Sequence, residues 1–389
     1  MTMSLNSTRE YLNQMRERYQ RATSKAERSH IVDAVVEVKH YNRKYAIRVL
    51  NQPSLPKSLP IRRPRSIKYR EALPVIQAVW EALDYPCAER LHPVLLSTAD
   101  LLHKHGEVRL TPQIRSQLAG ISRSTLARRL ATFPSPVAKY HPSKLSPSSR
   151  IKSEIPIDRH MWNEDKPGAL EVDLVEHNGS SSTGLYAYTI DLVDVVTLYS
   201  RRRAVLGRGQ TGIHREIDLM ISEWPHAPWA LHFDNGSEFL NRQLKRYCET
   251  HQLKPSRGRP YHKNDQAHVE QRNRQFVRNM VGFARYDTQE QVAWLNEVYA
   301  LLDLYTNLFI PSRKVIAKER IRSRTRKQYD EAKTPVQRLL DLGILDDLVT
   351  QKLRRLREQL NPALLHRQLE TLISAGPTMT ATTKIQGVI

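Results

Sequence analysis

The sequence predicts an α/β protein, in which a mixed β-sheet flanked by helices is preceded by all-α units and followed by a small basic β element and a helical tail. Between 169 and 206 the sequence either alternates between apolar and polar residues or is continuously apolar, which is typical of strands. The segments are ALEVDLVEH, LYAYTIDLVDVVTLYS and RRRAVL. Helices are expected near 213–223, near 241–251 and from about 266, with a strand WALHFD after the first. Strands followed by alternating helices and strands predict a mixed sheet.

Composition favours a polyanionic partner. The chain has 389 residues, a length that predicts several domains, and a formal net charge of +21. Nucleic acid is therefore the first candidate. A membrane surface is the rival, but no stretch approaches the roughly 18 apolar residues needed to span a bilayer, and the first residues lack a signal core. The distant Cys87 and Cys248 exclude a disulfide framework and a Cys-rich zinc site.

The first helical unit, 1–52, has a helix-turn-helix pattern. Ser24 and Glu27 form a capping-box pattern ahead of a shared apolar face, Ile31, Val35 and Val38. Asn42 is the expected N-cap of the next helix, RKYAIRVL. The residues predicted to face DNA are Arg43, Lys44 and Arg48.

A second helical unit, 71–133, follows a basic linker, 53–70. Thr111 is expected to cap and Pro112 to open one helix, and Ser122 starts another with Leu126 and Leu130 inside. Its predicted DNA-facing residues are Arg123, Arg128 and Arg129. An ordinary helical bundle with a solvated basic face explains both units equally well.

Three acids stand out in the predicted core, 156–310, which follows a linker, 134–155. Asp173 interrupts an apolar strand, Asp234 ends another strand, and Glu270 lies in the first turns of the long helix. A carboxylate inside a strand is costly without a partner, and metal ions would provide one. Three converging carboxylates suit magnesium.

At these residues the sequence resembles the retroviral-integrase superfamily of polynucleotidyl transferases, which includes bacterial insertion-sequence transposases. HFDNGSEF resembles the second-aspartate motif, 35 residues separate Asp234 from Glu270, and GRPYHKNDQAHVEQRNRQFVR resembles the glutamate motif. Asp265 is a departure, since many relatives have glycine there. The resemblance covers roughly 157–310 and implies a ribonuclease-H-like five-stranded sheet.

The resemblance implies that Asp173, Asp234 and Glu270 bind two Mg²⁺ or Mn²⁺ ions and carry the catalysis. Competing interpretations exist for each acid. Glu171 and Glu176 are rivals of Asp173 on the same strand, Asp234 would otherwise cap the Asn235-Gly236 turn, and Glu270 would otherwise pair with Arg274. Asp191 and Asp194 are expected to mark a strand edge or turn.

Basic residues surround the acids and continue beyond the core. Those expected to neutralise DNA phosphates are Arg259, Lys263, Arg274 and Arg278, and a solvated helix surface is the other interpretation. The basic element, 311–332, has arginines at 320, 322, 324 and 326 that would share one face of a strand, unless the segment is disordered. The tail, 333–389, is helical to about Ala375 and suited to protein contacts.

The predicted function is binding the ends of a mobile element, freeing a 3′-hydroxyl and transferring it to target DNA. Expected partners are double-stranded DNA at the element ends and the target, further copies of the chain and an accessory ATPase, in a bacterial cytoplasm at the nucleoid. The alternatives are a catalytically silent DNA-binding regulator derived from a transposase and a nuclease of the ribonuclease H type.

Overall fold

The computed structural model describes residues 3–54, 68–134, 166–233, 247–257, 273–321 and 324–378. The chain divides into two compact units, Met1–Lys68 and Tyr69–Ile389, which are described separately. None of the helices in the described ranges is both long and apolar enough to cross a membrane.

The first unit consists of three helices, α1 (Leu5–Arg21), α2 (Lys25–Lys39) and α3 (Arg43–Leu50). Asn42 caps α3 as expected, because its side chain accepts from the Lys44 N–H. Ile31 and Val35 are buried as predicted, but Val38 is 46% exposed, so the predicted apolar face ends one turn earlier.

Helices α4 to α8 begin the second unit. Their bounds are Leu73–Ala82, Ala88–Leu91, Leu95–Lys104, Pro112–Gly120 and Arg123–Leu130. The predicted caps are confirmed, since the Thr111 and Ser122 hydroxyls accept from the Ile114 and Thr125 N–H groups. Leu126 and Leu130 are buried as expected.

A five-stranded mixed sheet follows, as the sequence predicts for a ribonuclease-H-like core. Its strands are β1 (Ala169–Glu176), β2 (Ala187–Asp194), β3 (Ser200–Leu206), β4 (Ala230–Phe233) and β5 (Lys254–Arg257), in the order β3-β2-β1-β4-β5. β2 is antiparallel to both of its neighbours, β1 and β3, whereas β4 runs parallel to β1 and β5 runs parallel to β4.

The two faces of this sheet are covered by different helices. α9 (Gln210–Ser222) packs Ile213, Ile217 and Met220 on the face that carries Leu170, Val172, Leu231 and Phe233. After residues 273–278, which form a π-helical turn, and α10 (Asn279–Val281), the helix α11 (Gln289–Leu308) packs on the opposite face and against β3.

α11 also bonds the outer edge of β3. Asn296 accepts from the Ala204 N–H at 2.8 Å, Asp303 from that of Arg202 at 2.9 Å, and Asn307 from that of Ser200 at 3.0 Å. The Asn296 and Asn307 amides donate back to the Ala204 and Ser200 carbonyls. Three N–H groups and two carbonyls on the outer edge of β3 are therefore satisfied by side chains of a helix.

A hairpin and three helices complete the unit. β6 (Val315–Ile321) pairs with β7 (Arg324–Tyr329), and α12 (Pro335–Leu342), α13 (Asp347–Gln359) and α14 (Pro362–Ala375) follow. The basic β element and helical tail are thus as predicted. These helices share one hydrophobic core with α4–α8 and α11, where the Tyr305 hydroxyl donates to the Ala82 carbonyl at 2.9 Å.

Candidate catalytic site on the polar face of the sheet

The face of the sheet under α11 is polar, and this polar face carries every second residue of each strand. On β1 those residues are Glu171, Asp173 and Val175. The register places Asp173 opposite Asp191 on β2, and Asp191 opposite Arg202 on β3. Three charged residues therefore form one row across three neighbouring strands.

Asp173 itself is half-buried. Its Oδ1 accepts from the Leu174 N–H at 2.9 Å. Asp173 thus lies inside a strand on the polar face, where the sequence analysis expected it. Of its two rivals, Glu171 is 1% exposed, whereas Glu176 ends the strand half-buried.

The Asp191 carboxylate is engaged by a buried cation. Arg202 lies between Asp191, at 3.6 Å from its Nε, and Asp303 of α11, at 2.5 Å from its Nη1. Burial acts to lower the pKa of Arg202, but the two carboxylates outweigh it and raise that pKa above its ordinary value. Arg202 is therefore a permanent cation that compensates the buried Asp191 and the half-buried Asp303.

The expectation that Asp191 marks a strand edge or turn is wrong, because Asp191 is fully buried inside β2. Asp194 does mark a turn. Its Oδ1 accepts from the Val196 and Thr197 N–H groups at 2.8 and 2.9 Å.

A second buried row lies beside Asp173. The parallel register places Glu171 opposite His232 on β4, and His232 opposite Ser256 on β5. The His232 ring Nδ1 is 2.7 Å from the Ser256 hydroxyl, and both residues are almost completely buried. Sequence reasoning did not single out this pair, because it treated 254–265 as a basic stretch rather than as a strand.

His177 continues the polar face beyond the end of β1. Its Nε2 lies 2.7 Å from the Thr189 hydroxyl, which is 2.6 Å from the Tyr299 hydroxyl of α11. Burial, with a smaller effect of Arg278, lowers the pKa of His177 to about 3. The ring is therefore neutral at physiological pH.

Arg278 connects the π-helical turn, 273–278, to β1. Its Nη2 donates to the Glu176 carbonyl at 2.7 Å, and its guanidinium lies 4.9 Å from the centre of the Phe283 ring. Burial lowers the pKa of Arg278, while Tyr299, Glu176 and Asp173 act in the opposite direction. Phe276 and Val277 beside it are buried, so this segment is packed on the polar face.

Several predicted residues lie outside the described ranges: Asp234, Glu270, Arg259 and Lys263. Arg274 belongs to the π-helical turn, but its side chain is not described. Within the described ranges, no group of three or more His, Cys, Asp or Glu residues is arranged to hold a metal ion.

The predicted DNA-facing residues lie on exposed helix surfaces in each unit. Arg43 pairs with Asp33, Lys44 is exposed, and the Arg48 guanidinium lies 5.0 Å from the centre of the Tyr45 ring. On α8, Arg123 and Arg128 are exposed and Arg129 is half-buried. Arg128 donates to the Ser124 carbonyl and the Thr125 hydroxyl.

The sheet order and the mixed strand directions define a ribonuclease-H-like α/β protein. No known family model matches the sequence. The chain belongs to the family of an uncharacterized protein, y4rM of Sinorhizobium fredii (strain NBRC 101917 / NGR234), which is 34% identical over 341 residues, 86% of this chain and 96% of the relative.

A solved structure, the catalytic core domain of BIV integrase, is similar over 45% of this chain and 95% of its own, with 14% identity and a TM-score of 0.30. A TM-score this low is too weak to support a conclusion about the fold or function of this chain. The fold assignment therefore rests on the topology of the sheet itself.

Proposed function

We propose that this protein is a metal-dependent DNA polynucleotidyl transferase of the transposase and integrase kind, with Asp173, Asp234 and Glu270 as its catalytic carboxylates. The observation that carries the proposal is the register of β1 and β4. Val172 is paired with Phe233 in parallel strands, and the residues bonded directly to them are Asp173 and Asp234. Consecutive Cα atoms lie ~3.8 Å apart, and this supports the proposal that both acids act at the same end of the sheet.

The residues that follow Glu270 in the chain connect it to β1. Glu270 is three residues before Asn273, where the described π-helical turn begins. That turn ends at Arg278, which donates to the Glu176 carbonyl of β1. Glu270 is therefore only 278 − 270 = 8 positions before a residue that contacts the strand of Asp173, and this supports convergence of the three acids.

The donor set fits a hard divalent cation. Asp173 is half-buried, whereas Asp191 on the next strand is compensated by Arg202 and is excluded as a ligand in this proposal. Mg²⁺ prefers carboxylate oxygens together with water and phosphate oxygens. Bound by the three acids, two Mg²⁺ or Mn²⁺ ions would neutralise charge on the attacking and leaving oxygens of an in-line phosphoryl displacement.

The protein's own residues then have distinct tasks. Asp173, Asp234 and Glu270 hold the cations, Arg202 prevents Asp191 from competing with them, and Arg278 fixes the helical segment against β1. Water attacks the phosphodiester first and a 3′-hydroxyl leaves. That hydroxyl then attacks a phosphodiester of target DNA and displaces its 3′-oxygen, so no covalent enzyme intermediate is needed.

DNA binding by the helical units belongs to the same proposal. The exposed Arg123 and Arg128 of α8, and Lys44 and Arg48 of α3, would contact DNA near the element ends. Arg129, Arg259, Lys263 and Arg274 would add phosphate contacts. We also propose that copies of the chain assemble on paired ends, with an accessory ATPase. Mass photometry with and without end duplexes tests that assembly.

The central test is cleavage and joining of labelled duplexes taken from the ends of the element that encodes the chain, with Mg²⁺, Mn²⁺ or EDTA. We expect metal-dependent nicking and strand transfer, both lost in Asp173→Asn, Asp234→Asn and Glu270→Gln. Glu176→Gln is the matched control, because it removes a neighbouring carboxylate of β1 and should retain activity.

Activity of Asp173→Asn at the unsubstituted rate would overturn the assignment of that acid. Loss of activity in Glu171→Gln, with Asp173→Asn active, would transfer the role to Glu171. Tight binding to the end duplexes without cleavage in either metal would favour the catalytically silent DNA-binding regulator.

A further inference from the structure

The β6–β7 hairpin is exposed on both of its faces. It forms a sheet of its own with two strands, and the described side chains at 316, 319, 320 and 326–329 are exposed. A two-stranded hairpin without a packed face is marginally stable in water by itself. Its conformation therefore depends on how its base is held.

The base of the hairpin is fixed by a half-buried ion pair, Asp330–Arg338, and its neighbours. Asp330 accepts from the Lys314 N–H at 2.6 Å through Oδ1 and from Arg338 at 2.6 Å through Oδ2. Arg338 also donates to the Ser312 carbonyl at 2.9 Å, and a β-bridge joins Ser312 to Lys333. The ribbon thus extends from a rigid attachment on α12.

The register separates the charges of the ribbon into two unlike faces. Lys318 is opposite Lys327, and Arg320 is opposite Thr325, so the basic face carries three cations. The other face, here called the paired face, has Glu319 opposite Arg326. The expectation that arginines 320, 322, 324 and 326 share one face is wrong, because β6 and β7 are antiparallel strands and Arg320 lies on the basic face while Arg324 and Arg326 lie on the paired face. Arg322 is outside the described residues.

In the register, the exposed Arg320 and Lys327 lie opposite Thr325 and Lys318, so no acid of the partner strand is placed to compensate them. A polyanion beside this face would supply that compensation. On the paired face, Glu319 lies opposite Arg326, and Arg324 lies opposite Ile321. The basic face thus carries cations and no acid, whereas the paired face carries an acid among its cations, so the basic face is the better match for an anionic partner.

We propose that the ribbon enters the major groove of duplex DNA with its basic face toward the bases. The B-DNA major groove is ~12 Å wide and admits a two-stranded ribbon, whose strands are ~5 Å apart. Arg320 would reach base edges, for which arginine to guanine is the commonest specific contact, and Lys327 would neutralise phosphates. This inference rests on the proposed function, because it takes DNA as the substrate.

The test is binding of the full chain to a 30-bp random-sequence DNA duplex in EDTA, where cleavage cannot contribute. For the double variant Arg320→Gln, Lys327→Gln, we expect affinity near 0.1 M salt to fall roughly 10- to 100-fold and the slope of log K against log salt to fall by about 2. The single variant Lys327→Gln removes one positive charge from the basic face, and its matched control Arg326→Gln removes one from the paired face. The affinity of the control should change less than about twofold.

Groove choice is measured by methylation interference. Methylation at guanine N7, in the major groove, should weaken binding of the unsubstituted chain and have less effect on the double variant. Interference confined to adenine N3 in the minor groove would overturn the proposal. Equal losses of DNA affinity in Lys327→Gln and Arg326→Gln would also overturn it. So would binding of duplex RNA that is as tight as binding of DNA and depends equally on the ribbon, because the major groove of RNA is too narrow for side chains.

The outcomes separate this inference from the proposed catalysis. Asp173→Asn should bind the duplex like the unsubstituted chain. If the ribbon variant binds DNA normally and Asp173→Asn has lost cleavage, the proposed role of the ribbon is refuted and the proposed catalysis is supported. If DNA binding depends on the ribbon but no metal-dependent cleavage occurs, the proposed catalysis is refuted and the proposed role of the ribbon is supported.

Discussion

The two faces of the five-stranded sheet are made by alternate residues of the same strands, yet their chemistry is opposite. Under α9 the face is a continuous apolar cluster that includes Leu192 and Leu231. Under α11 it carries Asp173, Asp191 and Arg202. Burying charge costs free energy that apolar packing would not. The polar face therefore costs the fold free energy that the apolar face does not, and it is the face on which catalytic residues are expected.

The largest effect is expected from removing the cation of the polar face. Arg202→Met leaves Asp191 and Asp303 buried without compensation, which should lower the free energy of unfolding by about 3–5 kcal/mol. Urea denaturation measures it. Arg203→Met is the matched control on the other side of β3, where the side chain is 33% exposed and pairs with Glu223 at 3.6 Å. The control should lose no more than about 1 kcal/mol.

A third variant sharpens the argument. Arg202→Met combined with Asp191→Asn and Asp303→Asn removes the uncompensated charges and should recover part of the lost stability. If Arg202→Met and Arg203→Met were equally stable, the two faces would not differ energetically in the way described.

A smaller effect, restricted to acidic pH, is expected at His177. Its pKa is about 3 in the folded protein because of burial, and ~6.5 when unfolded. The unfolded chain therefore binds the proton first. The stability contributed by the neutral ring is complete above about pH 6.5 and is lost as the pH falls toward 3, by about 1.4 kcal/mol per pH unit.

The measurement compares unfolding of the unsubstituted chain and His177→Gln at pH 7 and pH 5. The unsubstituted chain should lose about 2 kcal/mol more than the variant between these two pH values. His251→Gln serves as the exposed-histidine control. Identical pH dependence with and without His177 would contradict burial of a neutral ring on the polar face.

The smallest effect concerns access rather than stability. Cys248 is fully buried in the apolar cluster, and burial, with a smaller effect of Glu249, raises its pKa to about 12. Cys87 is exposed. A thiol reagent at pH 8 should modify one cysteine of the native chain quickly and the second only on unfolding, which Cys87→Ser assigns. Rapid labelling of both would mean that the apolar face is open.

Much of this architecture follows from sequence, since β1, β2, β3 and β4 each have a recognisable apolar pattern. β5 was missed because KPSR has no such pattern, and it becomes a strand only by pairing with β4. Its proline fits a short strand of this kind. The parallel pairing of β4 and β5 is likewise a tertiary property.

The polar network shows the same limit. RRRAVL was correctly predicted as a strand, but no local signal distinguishes Arg202 from Arg201 or Arg203. Arg202 is distinguished by the strand register, which places it opposite Asp191, and by its contact with Asp303, which is 101 residues away in the chain. Asp173, in contrast, was identified by its local setting, as an acid inside an apolar strand.

The bonds from α11 to the edge of β3 have a consequence for assembly. Asn296, Asp303 and Asn307 occupy the backbone groups that another strand would otherwise use, so the helix substitutes for a sixth strand. Exposed sheet edges are where copies of a protein join into continuous sheets. This edge is closed to such growth, so two copies of the chain could not join their sheets through β3.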